Sequence, residues 1–158
     1  MAYAEDERAP VVFGPMHHVG VVVRDLDQAV ALYRDRFGFL LESLHDLGGD
    51  GVRAAFLRPG SGPRVELLSP SRDDTGVARF LETRGQGLHH VCFEVEDLAR
   101  TLDALAAAGT ELVDTVPRRG AHGPVAFIHP RGGLGTLIEL IEKEDGPAWA
   151  GLGYENVE

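Results

Sequence analysis

One stretch of this chain occurs twice. HHVGVVVRDL begins at His17, and HHVCFEVEDL begins at His89. His17, His18, Val19, Val23, Asp25 and Leu26 return 72 residues later as His89, His90, Val91, Val95, Asp97 and Leu98. AFLRPG from Ala55 returns as AFIHPR from Ala126, and VELL from Val65 as IELI from Ile138, at offsets of 71 and 73. Three matches at nearly one offset describe a duplicated unit of about 60 residues, the kind of self-similarity that decides an architecture before local propensities do.

Each copy predicts the same order of elements. Val19–Val23 is a short β-branched run that reads as a buried strand, and His90–Val95 is its counterpart. Asp25 and Asp97 stand as helix caps. The helices follow over Leu26–Phe37, with Ala29, Tyr33 and Phe37 on one face, and from Leu98 to Gly109, with Leu98, Leu102 and Leu105 apolar. Three more strands are predicted per copy: Phe39–His45, Val52–Arg58 and Arg64–Leu68, then Glu111–Val116, Val125–His129 and Leu137–Ile141. GGLG, Gly132–Gly135, reads as a turn between the last two. The expectation is an α+β fold of two tandem βαβββ modules. Module one spans 16–70, a linker with a short helix over Gly76–Thr83 spans 71–86, and module two spans 87–143. Residues 1–15 and 144–158 read as tails, with Trp149, Leu152 and Tyr154 as candidates for docking on a partner subunit.

Duplication puts equivalent side chains around a pseudo-twofold axis, so polar residues repeated on apolar strands carry the most information. His18 and His90 open the first strand of each copy. Glu66 and Glu139 sit inside the last, 48 and 49 residues further on. A Glu between apolar strand neighbours points to the opposite face from them. Two imidazoles and two carboxylates gathered by symmetry make a divalent-metal site whose N/O donors suit Co, Zn, Ni, Mn or Fe(II). His17 and His89 alternate away from that site and read as residues that pack against or support the ligands.

The remaining composition removes other classes. A net charge of −10 opposes a nucleic-acid or anionic-membrane surface. No apolar run reaches the ~18–20 residues of a membrane span. The acidic start MAYAEDERAP is unlike a signal or transit peptide. Cys92 is the single cysteine, so no internal disulfide forms, and the expected compartment is the cytoplasm. Arginine supplies fourteen of the fifteen basic residues, which accords with base composition or with anion recognition by planar guanidinium forks.

The segments HHVGVVVRDLDQAVALYRDRFGF, GVRAAFLRPG, VELLSP, VARFLETRGQGLHHVCFEVEDL and VAFIHPRGGLGTLIELIE resemble the vicinal oxygen chelate superfamily (the glyoxalase/bleomycin resistance/dioxygenase group). Within it they resemble the methylmalonyl-CoA epimerases over about residues 16–143. The resemblance implies a cup-shaped mixed sheet around a metal held by His18, Glu66, His90 and Glu139, the four that the repeat selects by itself. It implies an epimerase of methylmalonyl-CoA or a related 2-substituted malonyl thioester, acting through a metal-stabilised enolate without a redox cofactor. Glu139 is then a base as well as a ligand, and Glu66 a candidate for the second acid. An acyl-CoA partner is implied, with Arg118, Arg119 and Arg131 placed to meet its phosphates. Two departures stand out. GVRA puts Ala54 where some epimerases carry a glutamate proposed as the acid/base on the opposite face. The loop Arg118–Phe127 is shortened and holds His122, which reads as an exposed loop residue or as an extra acid/base. Other readings are a glyoxalase-like isomerase of a glutathione hemithioacetal, a ring-cleaving dioxygenase, which the fourth ligand disfavours, and a metal-free binding protein of the same superfamily. A homodimer with each metal site inside one chain is expected.

Overall fold

The computed structural model describes residues 11–143. Module one forms β1 (Met16–Val22), α1 (Leu26–Asp35), β2 (Leu40–Leu47), β3 (Val52–Arg58) and β4 (Arg64–Pro70). Then α2 (Gly76–Arg84) leads into module two, with β5 (Gly87–Val95), α3 (Leu98–Ala107), β6 (Arg118–Gly120), β7 (Gly123–Ile128) and β8 (Ile138–Glu142). All eight strands join one mixed sheet in the order β2-β3-β4-β1-β5-β8-β7-β6. The order mirrors about the antiparallel β1–β5 seam, and the parallel pair β1–β4 has its counterpart in β5–β8. The sheet curls until its two ends meet. His45 on the edge strand β2 packs edge-on against His122 of the β6–β7 turn, with ring centroids 5.1 Å apart. The α+β cup of paired modules is therefore present.

Local chemistry accounts for the helices. Asp25 Oδ1 accepts from the Gln28 amide at 2.9 Å, and Asp97 Oδ1 from the Arg100 amide at 2.8 Å, so both predicted caps function. Each helix lays its apolar face on the outside of its own module. Leu26 and Val30 pack with Val23, Ala55, Leu57 and Leu67. Leu98 and Leu102 pack with Val95, Ala126, Ile128 and Leu140. The alternate residues of the same strands line the inside of the cup. In module one these are Val22, Val52, Ala54, Phe56 and Leu68.

Three expectations shift. No strand forms over Glu111–Val116; that stretch makes only the Leu112–Ile128 bridge. The Val113 and Asp114 amides both donate to Phe127 O, and Asp114 Oδ2 takes the Phe127 amide at 2.9 Å, so a side chain occupies a ladder position. Pro117 has no N–H to continue the ladder, which resumes as the three-residue β6. Helix α1 stops at Asp35, short of the expected Phe37, before Gly38 turns the chain at φ 74°. The expected N-terminal tail is docked where it is described: Phe13 stacks on Phe93 at 5.7 Å, and Gly14 N donates to Glu94 O. Residues 1–10 and 144–158, with the docking candidates Trp149, Leu152 and Tyr154, lie outside the described residues.

Candidate metal centre

The four repeated polar residues arrive from the four central strands, β1, β4, β5 and β8. Strand alternation turns their side chains into the cup, and all four are buried. His18 Nε2 lies 3.0 Å from His90 Nε2, 3.2 Å from Glu66 Oε2 and 3.1 Å from Glu139 Oε2. His90 Nε2 lies 3.2 Å from Glu66 Oε2 and 2.8 Å from Glu139 Oε2. One donor atom from each residue thus falls within 4.8 Å of every other.

This donor set fits a divalent cation. Donors about 2.1 Å from an ion at right angles to one another sit about 3.0 Å apart, close to the observed spacings. Two buried carboxylates facing two imidazoles also need a positive charge to balance them. Without an ion, a proton shared among the imidazoles would answer that need. Burial opposes a charge on His90, but its hydrogen bonds to Glu139 and Glu66 overturn that and lift its pKa to about 10. Burial likewise disfavours charged Glu66 and Glu139, yet the same imidazoles hold both carboxyl groups below their usual range. A divalent ion would take over the role of that proton.

The neighbouring histidines keep the ligand rings in place. His17 Nδ1 is 2.7 Å from His18 Nδ1, and His89 Nδ1 is 3.0 Å from His90 Nδ1. Burial first, then the adjacent imidazole, lowers both His17 and His89 to about 4, so they stay neutral and can accept. A ligand imidazole that donates from Nδ1 leaves Nε2 free to face the ion.

Sequence reasoning passed over three further structural residues, Phe56, Phe127 and Gly20. Phe56 and Phe127 hold equivalent places in the repeated AF segments. Each pairs across strands with its module's glutamate and packs its ring edge-on against a ligand imidazole: Phe56 on His18 at 5.3 Å, Phe127 on His90 at 5.7 Å. Their recurrence in the repeat was the available signal. Gly20 pairs with His90 across the seam, as His18 pairs with Cys92. A methyl group at Gly20 would stand 2.1 Å from the His90 ring, so only glycine lets that ring lie down. An isolated glycine inside a strand is the sequence signal for such a close approach. Cys92 is buried, and burial pushes its thiol pKa up, so it stays protonated.

Glu66, His90 and Glu139 form the floor of a 530 Å³ cavity, a size suited to a small-molecule head group. Arg72, Arg118 and Arg119 stand on its walls beside the start of α2. Arg118 is held by Asp114 at 3.2 Å and lies over the Phe127 ring at 4.9 Å. Arg72 is fixed by Asp74 and by the Gly48 carbonyl. The sequence reading named Arg118 and Arg119 but not Arg72. Arg131 is not brought to the cavity; it forms a forked ion pair with Glu111 on the surface. His122 is not an exposed loop residue either, because its ring packs on buried Phe56 at 4.3 Å.

A curled sheet of paired βαβββ modules with a His/Glu/His/Glu cluster inside defines a vicinal oxygen chelate protein. Sequence comparison agrees. Residues 17–127 match the glyoxalase/bleomycin resistance protein/dioxygenase superfamily, and the chain belongs to that superfamily. It is 38% identical over 133 residues to the ethylmalonyl-CoA/methylmalonyl-CoA epimerase of Cereibacter sphaeroides, covering 82% of this chain and 98% of the relative. The crystal structure of methylmalonyl-CoA epimerase from Mycobacterium tuberculosis superposes with a TM-score of 0.79 at 34% identity, over 89% of this chain and 95% of that one. A variant of the Streptomyces coelicolor methylmalonyl-CoA epimerase in complex with 2-nitronate-propionyl-CoA gives 0.79 at 30% identity, over 84% and 99%.

Proposed function

We propose that this chain inverts the α carbon of methylmalonyl-CoA or a closely related 2-substituted malonyl thioester. The observation that carries the reading is the buried convergence of His18, Glu66, His90 and Glu139 on one point at the floor of the cavity, in a chain whose relatives over most of its length are named for this reaction. The four residues would hold one Co, Zn, Ni or Mn ion, and such an ion supplies Lewis-acid charge where the substrate's oxygens gain negative charge. Glu139 is the base that takes the α proton. Burial opposes its charge, but hydrogen bonds from His18 and His90 outweigh that and hold its carboxyl below the usual range, and it reaches the cavity from β8. Phe56 and Phe127 pack edge-on against the His18 and His90 rings. Arg118, Arg119 and Arg72 stand on the cavity wall, where guanidinium forks would meet the carboxylate or phosphates of an acyl-CoA.

A homodimer in the cytoplasm belongs to the same proposal. Helix α1 covers β3 and β4, and α3 covers β7 and β8, so among the described residues neither of these helices covers the outer face of the β1–β5 seam. Val19 and Val91 lie on that face beside Leu88, which is 72% exposed, and a second copy would bury them. No described helix is long and apolar enough to cross a membrane.

The test is proton exchange. The protein is loaded with Co(II) and given one enantiomer of methylmalonyl-CoA in heavy water, and α deuteration and inversion are followed together against the uncatalysed rate. Inversion with deuterium uptake supports the reading. A metal-loaded, folded protein that gives neither overturns it.

A further inference from the structure

The two sides of the cavity differ in chemistry. On the module-one side the lining is apolar. Leu47, Val52 and Leu68 come from β2, β3 and β4, Val77 from α2, and Ala121 from the β6–β7 turn at the other end of the sheet. Val52 and Leu68 are buried, and Val77 and Ala121 pack against the cluster that contains them. Strand register sets this wall out as rungs leading away from the ligands: Glu66 pairs with Phe56, Leu68 with Ala54, and Pro70 with Val52. Alternate residues share a face, so each rung lies about 7 Å beyond the one before. Ala54 is fully buried and carries only a methyl group, so no polar side chain of β3 stands in the rung next to Glu66. The far end is closed by the β2–β3 turn. Arg72 ties that turn to α2, donating to the Gly48 carbonyl at 3.2 Å and to Asp74 at 3.0 Å. A methyl group on Gly51 would stand 2.8 Å from Thr75 Cγ2, so the turn and the helix start are already in contact.

Charge separates the two sides as well. Module two presents Arg118 and Arg119, whereas the end of the module-one wall sets Arg72 together with Asp50 and Asp74. The phosphates of a CoA are drawn to the first of these, which leaves the apolar wall to another part of the substrate. The bonds of the α carbon say which part. With its proton turned to Glu139 on β8, the α carbon points its other three bonds away from Glu139. Two lead to the carboxylate and the thioester carbonyl, whose oxygens belong at the buried ligand cluster. The third carries the 2-substituent, and it faces module one.

Resting on the proposed epimerase reading, we infer that the Leu47, Val52 and Leu68 wall is the seat of the 2-substituent, and that the chain takes malonyl thioesters with unbranched alkyl groups, ethyl through butyl, in preference to methyl. A methyl group covers only the Leu68 rung. A longer chain also reaches Val52 and Leu47 and leaves water along its length. Val77 and Ala121 set the width of the seat, because α2 and the β6–β7 turn bring these two small side chains to its rim.

The test uses methyl-, ethyl- and butylmalonyl-CoA, each as a single enantiomer, with metal-loaded wild type, Ala121→Leu and Val77→Phe. Every protein is checked for folding by circular dichroism and for metal content. Two readouts are taken: dissociation constants by calorimetry, and α deuteration with inversion in heavy water. Burial of one methylene brings about a threefold gain in affinity, so wild type is expected to bind the butyl thioester on the order of 30-fold more tightly than the methyl one and to turn it over at higher kcat/KM. Ala121→Leu and Val77→Phe are each expected to lower kcat/KM on the order of 100-fold for butyl but less than about fivefold for methyl. Weaker wild-type binding of butyl than of methyl overturns the assignment, and this series decides the matter even where a variant does not fold. Folded variants that depress all three substrates alike also overturn it, because the wall would then hold the thioester arm common to them. Tighter binding of the butyl thioester with no deuteration of any substrate would support the seat and remove the epimerase reading.

Discussion

The two modules share a plan but not an interior. Module one runs a long edge strand, β2, and fills its inner wall with Val52, Ala54, Phe56 and Leu68. Module two breaks the corresponding strand at Asp114–Pro117 and brings Arg118 and Arg119 to the cavity wall, across from the apolar Leu47, Val52 and Leu68 of module one. Each contributes one imidazole, one carboxylate and one phenyl ring to the centre. Symmetry therefore explains how an ion can be held, and the departure from symmetry explains how a substrate can be turned over. A site that inverts a carbon needs different neighbours on its two sides.

The glutamates give the largest expected contrast. As proposed ligands Glu66 and Glu139 are equivalent, but only Glu139 is also the proposed base. Glu139→Gln is expected to abolish deuterium exchange, a loss of about a thousandfold or more. Glu66→Gln keeps an oxygen donor and is expected to lose only about tenfold, mostly through weaker metal retention. Equal losses in the two variants would mean that both modules serve the chemistry alike.

Next in size comes the packing across the seam. Gly20 lies under His90, as Cys92 lies under His18. Gly20→Ala forces the His90 ring to move and is expected to weaken metal binding about 10–100-fold, read by competition with a chelator. Cys92→Ala only removes a buried sulfur, without forcing a ring to move, and is expected to weaken metal binding far less. A Gly20→Ala protein that binds metal like wild type would show that His90 has another place to lie.

Acid sharpens the comparison differently, because it acts on both modules through His17 and His89. Their folded pKa is about 4, and an unfolded imidazole titrates near 6.5. Between these values the unfolded chain binds more protons, so stability falls as pH drops from about 6.5 to about 4. The raised His18 and His90 do not offset this, since their contribution is already complete below 6.5 and is lost only as pH rises. Thermal melts of the metal-free protein are expected to show the fall. Replacing both His17 and His89 with Gln is expected to flatten it, and an unchanged slope would place the acid sensitivity elsewhere.

The smallest contrast lies on the surface. Arg118→Ala removes a cavity guanidinium and is expected to raise KM for an acyl-CoA about tenfold with little change in kcat. Arg131→Ala breaks only its exposed pair with Glu111 and is expected to leave KM unchanged. A KM that responds to Arg131 rather than Arg118 would move the nucleotide end of the substrate to another face.

Much of this was legible because duplication writes itself twice. The caps Asp25 and Asp97, the strand Val52–Arg58 and the four donors all follow from residues that recur at one offset and must occupy equivalent places. Features belonging to one copy alone were not legible. The break after Leu112 depends on Asp114 reaching the Phe127 amide, a contact between segments 13 residues apart that no local pattern announces. Burial of His122 depends on the sheet curling far enough for its two ends to touch, which is a property of all eight strands. Arg131 looked equivalent to Arg118 as a charge, and only the Glu111 pairing tells them apart.

The claim underneath all of this is that the two modules jointly hold one ion with four side chains. Co(II) titrated into the metal-free protein, followed by its visible absorption, tests it most directly. The account predicts saturation at one ion per chain, with His18→Ala and His90→Ala each removing the signal although they come from different modules. Saturation at two ions per chain, or a signal that survives loss of either histidine, would contradict it.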